Sequence, residues 1–149
     1  MDTKTKIILR RPSQWMNRIR GYRVFINGQQ VGTIKNGATE EYTVEPGANS
    51  IECKINWCGS QASPVNLQPG ETAYLKVASG MKLYYFFVGV MVVGVFLFVY
   101  YRDNPDKPSW ATPVSLVALF SAALYSLYYV TFGRKDYLVV EKDTKNVFA

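Results

Sequence analysis

The 149-residue sequence predicts a mainly β N-terminal domain, a small antiparallel β-sandwich of six or seven strands, followed by two transmembrane α-helices in a hairpin. Three observations predict it. Turn dipeptides punctuate residues 4–78, with short runs rich in Val, Ile, Tyr and Thr between them. Residues 83–101 and 111–132 carry no charge. Charge is concentrated outside those two runs, so bulk averages, 48% hydrophobic with a mean hydropathy of −0.04, conceal a divided chain. The expected boundaries are 1–80 for the sandwich, 81–133 for the hairpin and 134–149 for a polar tail, in which the apolar run Tyr137 to Val140 is expected as a short strand able to pair with a sheet edge.

The expected strands are KIILR, YRVFI, QVGTI, EEYTV, NSIECKINW, PVNL and TAYLKV. Asn27-Gly28 and Asn36-Gly37 are short-hairpin signals, because both central residues of the favoured turn need positive φ. Pro46-Gly47 and Pro69-Gly70 are turn dipeptides. Apolar residues alternate at Tyr22, Val24 and Ile26, and again at Ile51, Cys53 and Ile55. Cys53 shares that inward parity and is expected as a small core residue, with Cys58 at a strand end. A C-x₄-C pair lacks the spacing of a zinc or redox motif, and the chain has no histidine to complete a metal site. The turn signals end before Met81, so residues 1–80 are expected to fold on their own.

Three blocks, YRVFINGQQVGTI, YTVEPGANSIECKI and VNLQPGETAYLKV, span residues 22–78 and resemble the PEGA domain. That family pairs a V-x-I-[DN]-G-x-x-V-G hairpin with a PGxHxV turn-strand and a closing PGET strand. The Pro-Glu-Gly-Ala motif itself is absent; Glu45-Pro46-Gly47-Ala48 holds the same residues reordered. Lys35-Asn36 stands where family members carry threonine-proline. The resemblance implies an accessory β-sandwich of bacterial envelope or signalling proteins, and it carries over no catalytic residue.

A helix needs about 20 apolar residues to cross a bilayer. Residues 83–101 supply 19 and residues 111–132 supply 22. Tyr84, Tyr85, Tyr100, Tyr101 and Trp110 sit where interfacial aromatic belts belong, as do Tyr128 and Tyr129. The connector RDNPDKPSW is short and turn-rich, and Pro113 falls in the first turn of the second helix, where its missing N–H is harmless. A short connector makes the helices antiparallel, with both chain ends on one side. Arg102 and Lys107 lie on the connector side, against Lys76, Lys82, Arg134, Lys135 and Lys142 on the other. No signal peptide is read in MDTKTKIILRRPSQW. The expectation is an integral, multi-pass protein of the bacterial inner membrane, with both termini cytoplasmic and the cysteines reduced. Gly89 and Gly94 on the first helix, and Ala118, Ala122 and Ser126 near Ser115 on the second, are expected to let helices approach closely, within the hairpin or between copies. No charge lies within either run, so no proton or ion path is indicated.

The formal charge of +6 is uneven. Residues 1–35 carry eight basic side chains against Asp2 alone, whereas residues 36–80 carry a net −3. Within the basic segment, RRPSQWMNRIRGYR places Trp15, Met16 and Ile19 at helical spacing among arginines. Two readings stand side by side. Arg10, Arg11, Trp15, Arg18, Arg20 and Arg23 meet lipid headgroups or a partner at the membrane surface. Alternatively, Trp15 and Ile19 fill the sandwich edge while the arginines remain in solvent. A nucleic-acid interface would need a larger basic surface with interleaved aromatics, so no nucleic-acid partner is expected. No phosphate loop, GxSxG or histidine is present. The sequence therefore predicts no catalytic residue, metal or cofactor. It predicts a non-enzymatic, membrane-anchored interaction module, with membrane lipid and a protein partner or second copy as its contacts. The alternative is a lipid-headgroup-binding protein using segment 10–23.

Overall fold

The computed structural model describes residues 4–81 and 83–144. Asp2, Lys82 and residues 145–149 of the tail lie outside the described residues. The chain divides into two compact units: one formed by residues 1–80 together with 134–149, the other by residues 81–133.

The first unit is a two-sheet sandwich. Its strands are β1 (Lys6–Arg10), β2 (Tyr22–Ile26), β3 (Gln29–Ile34), β4 (Thr39–Thr43), β5 (Gly47–Ile55), β6 (Cys58–Gly59), β7 (Ser63–Leu67), β8 (Thr72–Ser79) and β9 (Leu138–Lys142). One sheet has the order β4-β1-β8-β9; the other runs β3-β2-β5-β6, with β7 also paired to β5. The expected alternation forms the seam. Tyr22, Val24, Ile51 and Cys53 from one sheet, and Ile7, Leu9, Val77 and Leu138 from the other, share a single buried cluster.

Three sequence expectations change. The sandwich is not wholly antiparallel: β1 and β8 are parallel, Lys6 opposite Thr72 and Arg10 opposite Lys76. A parallel pair needs a long crossover, and here the intervening chain from β2 to β7 supplies it. There are nine strands among the described residues rather than six or seven, since NSIECKINW pairs back on CG as well as on SPVNL and the tail adds another. Asn36-Gly37 does not close a hairpin. Gly37 has φ +75°, but the turn carries the chain from β3 in one sheet to β4 in the other. Asn27-Gly28 does close one, with φ of 51° and 80° joining β2 to β3.

The tail strand β9 pairs antiparallel with β8, Ser79 opposite Leu138 and Leu75 opposite Lys142. Leu138 and Val140 are buried and Val139 is exposed, so its alternation fits one face of the sheet to the core. The second unit is thus an insertion into the β8–β9 hairpin. Gly80 N–H donates to the Tyr137 carbonyl at 2.8 Å. A Cβ on Gly80 would run into the Asp136 carbonyl, which is why the outgoing and returning chains can lie this close only with glycine there.

The second unit consists of α1 (Tyr84–Tyr101) and α2 (Ala111–Thr131), both long and apolar enough to cross a membrane. They are antiparallel. Phe87 stacks on Tyr125 at 4.2 Å, and Tyr101 at the far end of α1 meets Trp110 at the start of α2. Between them, a Cβ on Gly94 would lie 2.9 Å from Ala118 Cβ.

Candidate functional site

The basic segment 10–23 separates into inward and outward halves. Arg11 is fully buried. Its Nη1 donates to the carbonyls of Arg20 (2.7 Å) and Ile34 (3.2 Å), and its Nη2 to that of Asn17 (2.8 Å). The guanidinium lies 3.5 Å from the centre of the Tyr22 ring. Burial lowers its pKa from the ordinary arginine value, and the neighbouring Tyr22 works against that shift. Arg11 organises the loop and presents no surface to solvent. Arg10 forms an ion pair with Asp143 just after β9, which raises its pKa. Arg23 donates to the Asn56 carbonyl at 2.9 Å.

The remainder faces out. Trp15 is 77% exposed and Ile19 is 99% exposed, which overturns the reading that they fill the sandwich edge. The segment is not a helix either. Arg18 N–H turns back to the Trp15 carbonyl and Arg20 N–H to the Asn17 carbonyl, while Asn17 sits at φ 59° and ends any right-handed run. Met16 turns inward, its sulfur 3.1 Å from Ser79 Oγ. Arg18 lies 6.0 Å from the Trp15 ring, and neither Arg18 nor Arg20 makes an ion pair among the described residues.

Topology decides where this loop sits in the sandwich. β1 is parallel to β8, so the loop after β1 emerges beside the end of β8, where the chain leaves for α1. Direct bonds fix the neighbourhood: Ser79 N–H donates to Gln14 Oε1 at 3.1 Å, and Tyr137 Oη approaches Asn17 Oδ1 at 3.3 Å. The β5–β6 turn joins from the other sheet, where Gly59 N–H donates to the Arg134 carbonyl at 2.7 Å. That turn presents Trp57, 66% exposed. Trp57 was not singled out in the sequence. Its signal was an aromatic at the tip of a short turn, which gains meaning only once Arg134 is known to lie beside it.

Of the small helix residues, Gly94, Ala118 and Ala122 lie in or beside the α1–α2 seam, where Gly94 and Ala122 are buried. Gly89 does not: a Cβ there meets nothing within 4 Å. Five residues from Gly94 is about 140° around a helix, enough to turn it out of the seam. Ser126 is exposed and returns its hydroxyl to the Ala122 carbonyl at 3.1 Å. Ser115 is buried, its hydroxyl satisfied by the Ala111 carbonyl at 2.9 Å.

Cys53 and Cys58 are buried and are not joined in a disulfide. Burial, with a smaller push from Glu52, raises Cys53 to about 12, and burial also raises Cys58. Neither is an activated nucleophile, since a reactive thiol needs a depressed pKa. Among the described residues no group of three or more Cys, Asp or Glu is placed to hold a metal. An open groove of about 720 Å³ runs between β7 and the β8–β9 pair, where Val65, Leu67, Leu75 and Val140 share the lining with polar and charged residues such as Glu71 and Glu141.

No family model, curated protein or solved structure matches the chain.

Proposed function

We propose that the chain is a non-enzymatic, membrane-anchored interaction module. On this reading α1 and α2 cross a bilayer as an antiparallel pair and hold the β-sandwich at its surface. One observation carries the reading: two uncharged helices of 18 and 21 residues, with most of their side chains uncovered, are inserted into a β-hairpin of an otherwise well-buried sandwich. In water those faces would cost about 25 cal/mol per Å² of apolar area left exposed. Hydrocarbon removes that cost, and both helices satisfy their backbone internally, as a bilayer requires.

The basic bias on the side of the chain ends supports cytoplasmic termini in a bacterial inner membrane, and the PEGA-like spacing of residues 22–78 supports an accessory rather than catalytic sandwich. The outward faces of α1 and α2 then meet lipid, a membrane protein or a second copy. Extraction tests the anchor. The full chain should stay with the membrane pellet through alkaline carbonate and high salt, and leave it only in detergent. Release by carbonate would reject the anchor.

A further inference from the structure

The end of the sandwich through which the chain leaves and returns differs in character from the opposite end. Its loops, among the described residues, carry Arg18, Arg20, Lys35, Arg134 and Lys135 against a single acid, Asp136, which already accepts from Gln61 Nε2 at 2.6 Å. The described residues outside strands at the other end carry Lys4 against Glu45, Glu71 and Asp143, the last paired with Arg10. The basic end also shows three large apolar side chains, Trp15, Ile19 and Trp57, on two separate loops brought up from the two sheets. Apolar tips ringed by cations that make no ion pair among the described residues are poorly matched to water. They suit a bilayer interface, where indole settles at headgroup level and basic side chains meet lipid phosphate.

We propose that this end of the sandwich is a docking face for an anionic bilayer surface. Trp15, Ile19 and Trp57 enter the interface, and Arg18, Arg20, Arg134 and Lys135 meet headgroup phosphates. The proposal rests on the reading of α1 and α2 as a membrane anchor and adds a lipid specificity to it. Charge complementarity argues for lipid as the occupant. So does the chain path, because only three residues lie between Gly80 and Tyr84, and only two between Thr131 and Arg134. Whatever bilayer the helices enter begins within a few residues of this end. The face is narrower than segment 10–23, since Arg11 is buried and Arg10 is tied to Asp143, and it recruits Trp57, Arg134 and Lys135 from outside that segment.

The test uses the full chain in liposomes of phosphatidylcholine, with and without phosphatidylglycerol. Each tryptophan is kept alone by Phe replacement of the other two, and quenching by acrylamide is compared with quenching by lipids brominated near the glycerol end of their chains. Trp15 and Trp57 should be lipid-quenched when phosphatidylglycerol is present and return to acrylamide at high salt. Replacing Arg18, Arg20, Arg134 and Lys135 with Gln should lower the docked-to-free ratio by about fivefold per charge. Circular dichroism of the variants controls for folding, and these exposed side chains should leave it unchanged. If Trp15 and Trp57 stay open to acrylamide in every liposome while Trp110 is lipid-quenched, the docking face is wrong and the anchor stands. If both are shielded from acrylamide and lipid alike, the face is covered by protein and the proposal fails. If Trp110 is not quenched by lipid either, the anchor reading fails and takes this one with it.

Discussion

In the β-unit, Ile7, Leu9, Val24, Ile51 and Val77 are sealed from solvent. In α1, Tyr85, Phe86, Val92, Phe96 and Val99 are each more than half exposed. The kinds of apolar side chain do not separate these regions, since both draw on the same ones. Periodicity and interruption do. The strands alternate and break every few residues, so each has a polar face for water and an apolar face for the opposite sheet. The helices have no polar face, and an element apolar all round is stable only inside protein or lipid. Among the described residues, only a small share of either helix is covered by protein. On the proposed anchor reading, one continuous chain is built for two solvents, and the boundary passes through the short connectors on either side of the helix pair.

Removing β9 should break the comparison most severely. Leu138 and Val140 are buried in the seam, β9 supplies the partner ladder of β8, and Asp143 holds Arg10. Loss of a buried Leu side chain alone costs about 2–5 kcal/mol, against a whole-domain stability of about 5–15 kcal/mol. A chain of residues 1–80 should therefore lack a cooperative melt by circular dichroism. A chain joining Gly80 directly to Asp136 should melt cooperatively. Equal melts of the two would show that the β-unit is complete without its returning strand.

Next in size is Arg11→Ala, which strips three carbonyls of their donor and leaves a void against Tyr22. Unpaired buried groups and the cavity together should lower stability by about 3–5 kcal/mol in denaturant titration. A loss below about 0.5 kcal/mol, typical of surface positions, would place Arg11 in the outward half.

A smaller effect should appear in alkali. Cys53 and Tyr42 are each pushed up to about 12, mainly by burial. Their ordinary values are 9.0 and 10.0, so from those values up to about pH 12 the unfolded chain loses protons that the folded chain retains. Stability is therefore full below pH 9.0 and falls as pH rises towards 12, by at most about 1.4 kcal/mol per pH unit for each group. Cys53→Ala should flatten the lower part of that fall. A stability rising with pH over this range would have the wrong sign.

The smallest change is expected at Trp15→Ala and Trp57→Ala, each within about 0.5 kcal/mol of the parent. This is the reverse of what a core tryptophan would do. A loss of several kcal/mol at either position would return that side chain to the core.

The parts of the fold that sequence discloses are those with a local signal. Tyr22-Val24-Ile26 and Ile51-Cys53-Ile55 announce strands through alternation, and the tail strand shows as an apolar run, Tyr137 to Val140, between charges. Nothing local announces that β1 lies parallel to β8, because the two are joined only through the intervening sheet. That pairing builds the basic end of the sandwich, so the candidate site was legible only in fragments. Arg18, Arg20 and Trp15 stood out. Arg11 looked like its neighbours because an arginine defaults to solvent, and the carbonyls that hold it arrive from Asn17, Arg20 and Ile34. The spacing of Trp15 and Ile19 suggested a helix, which the left-handed Asn17 prevents.

The central claim, that one continuous chain crosses a bilayer twice and returns to finish its own β-sheet, is tested most directly by thiol accessibility. Cys53 and Cys58 are buried and should stay silent. In intact cells a membrane-impermeant maleimide should label Ser109→Cys, in the α1–α2 connector, and should leave Thr144→Cys unlabelled until the membrane is opened. Labelling of Thr144→Cys but not Ser109→Cys would reverse the orientation. Equal labelling of both before the membrane is opened would contradict the crossing itself.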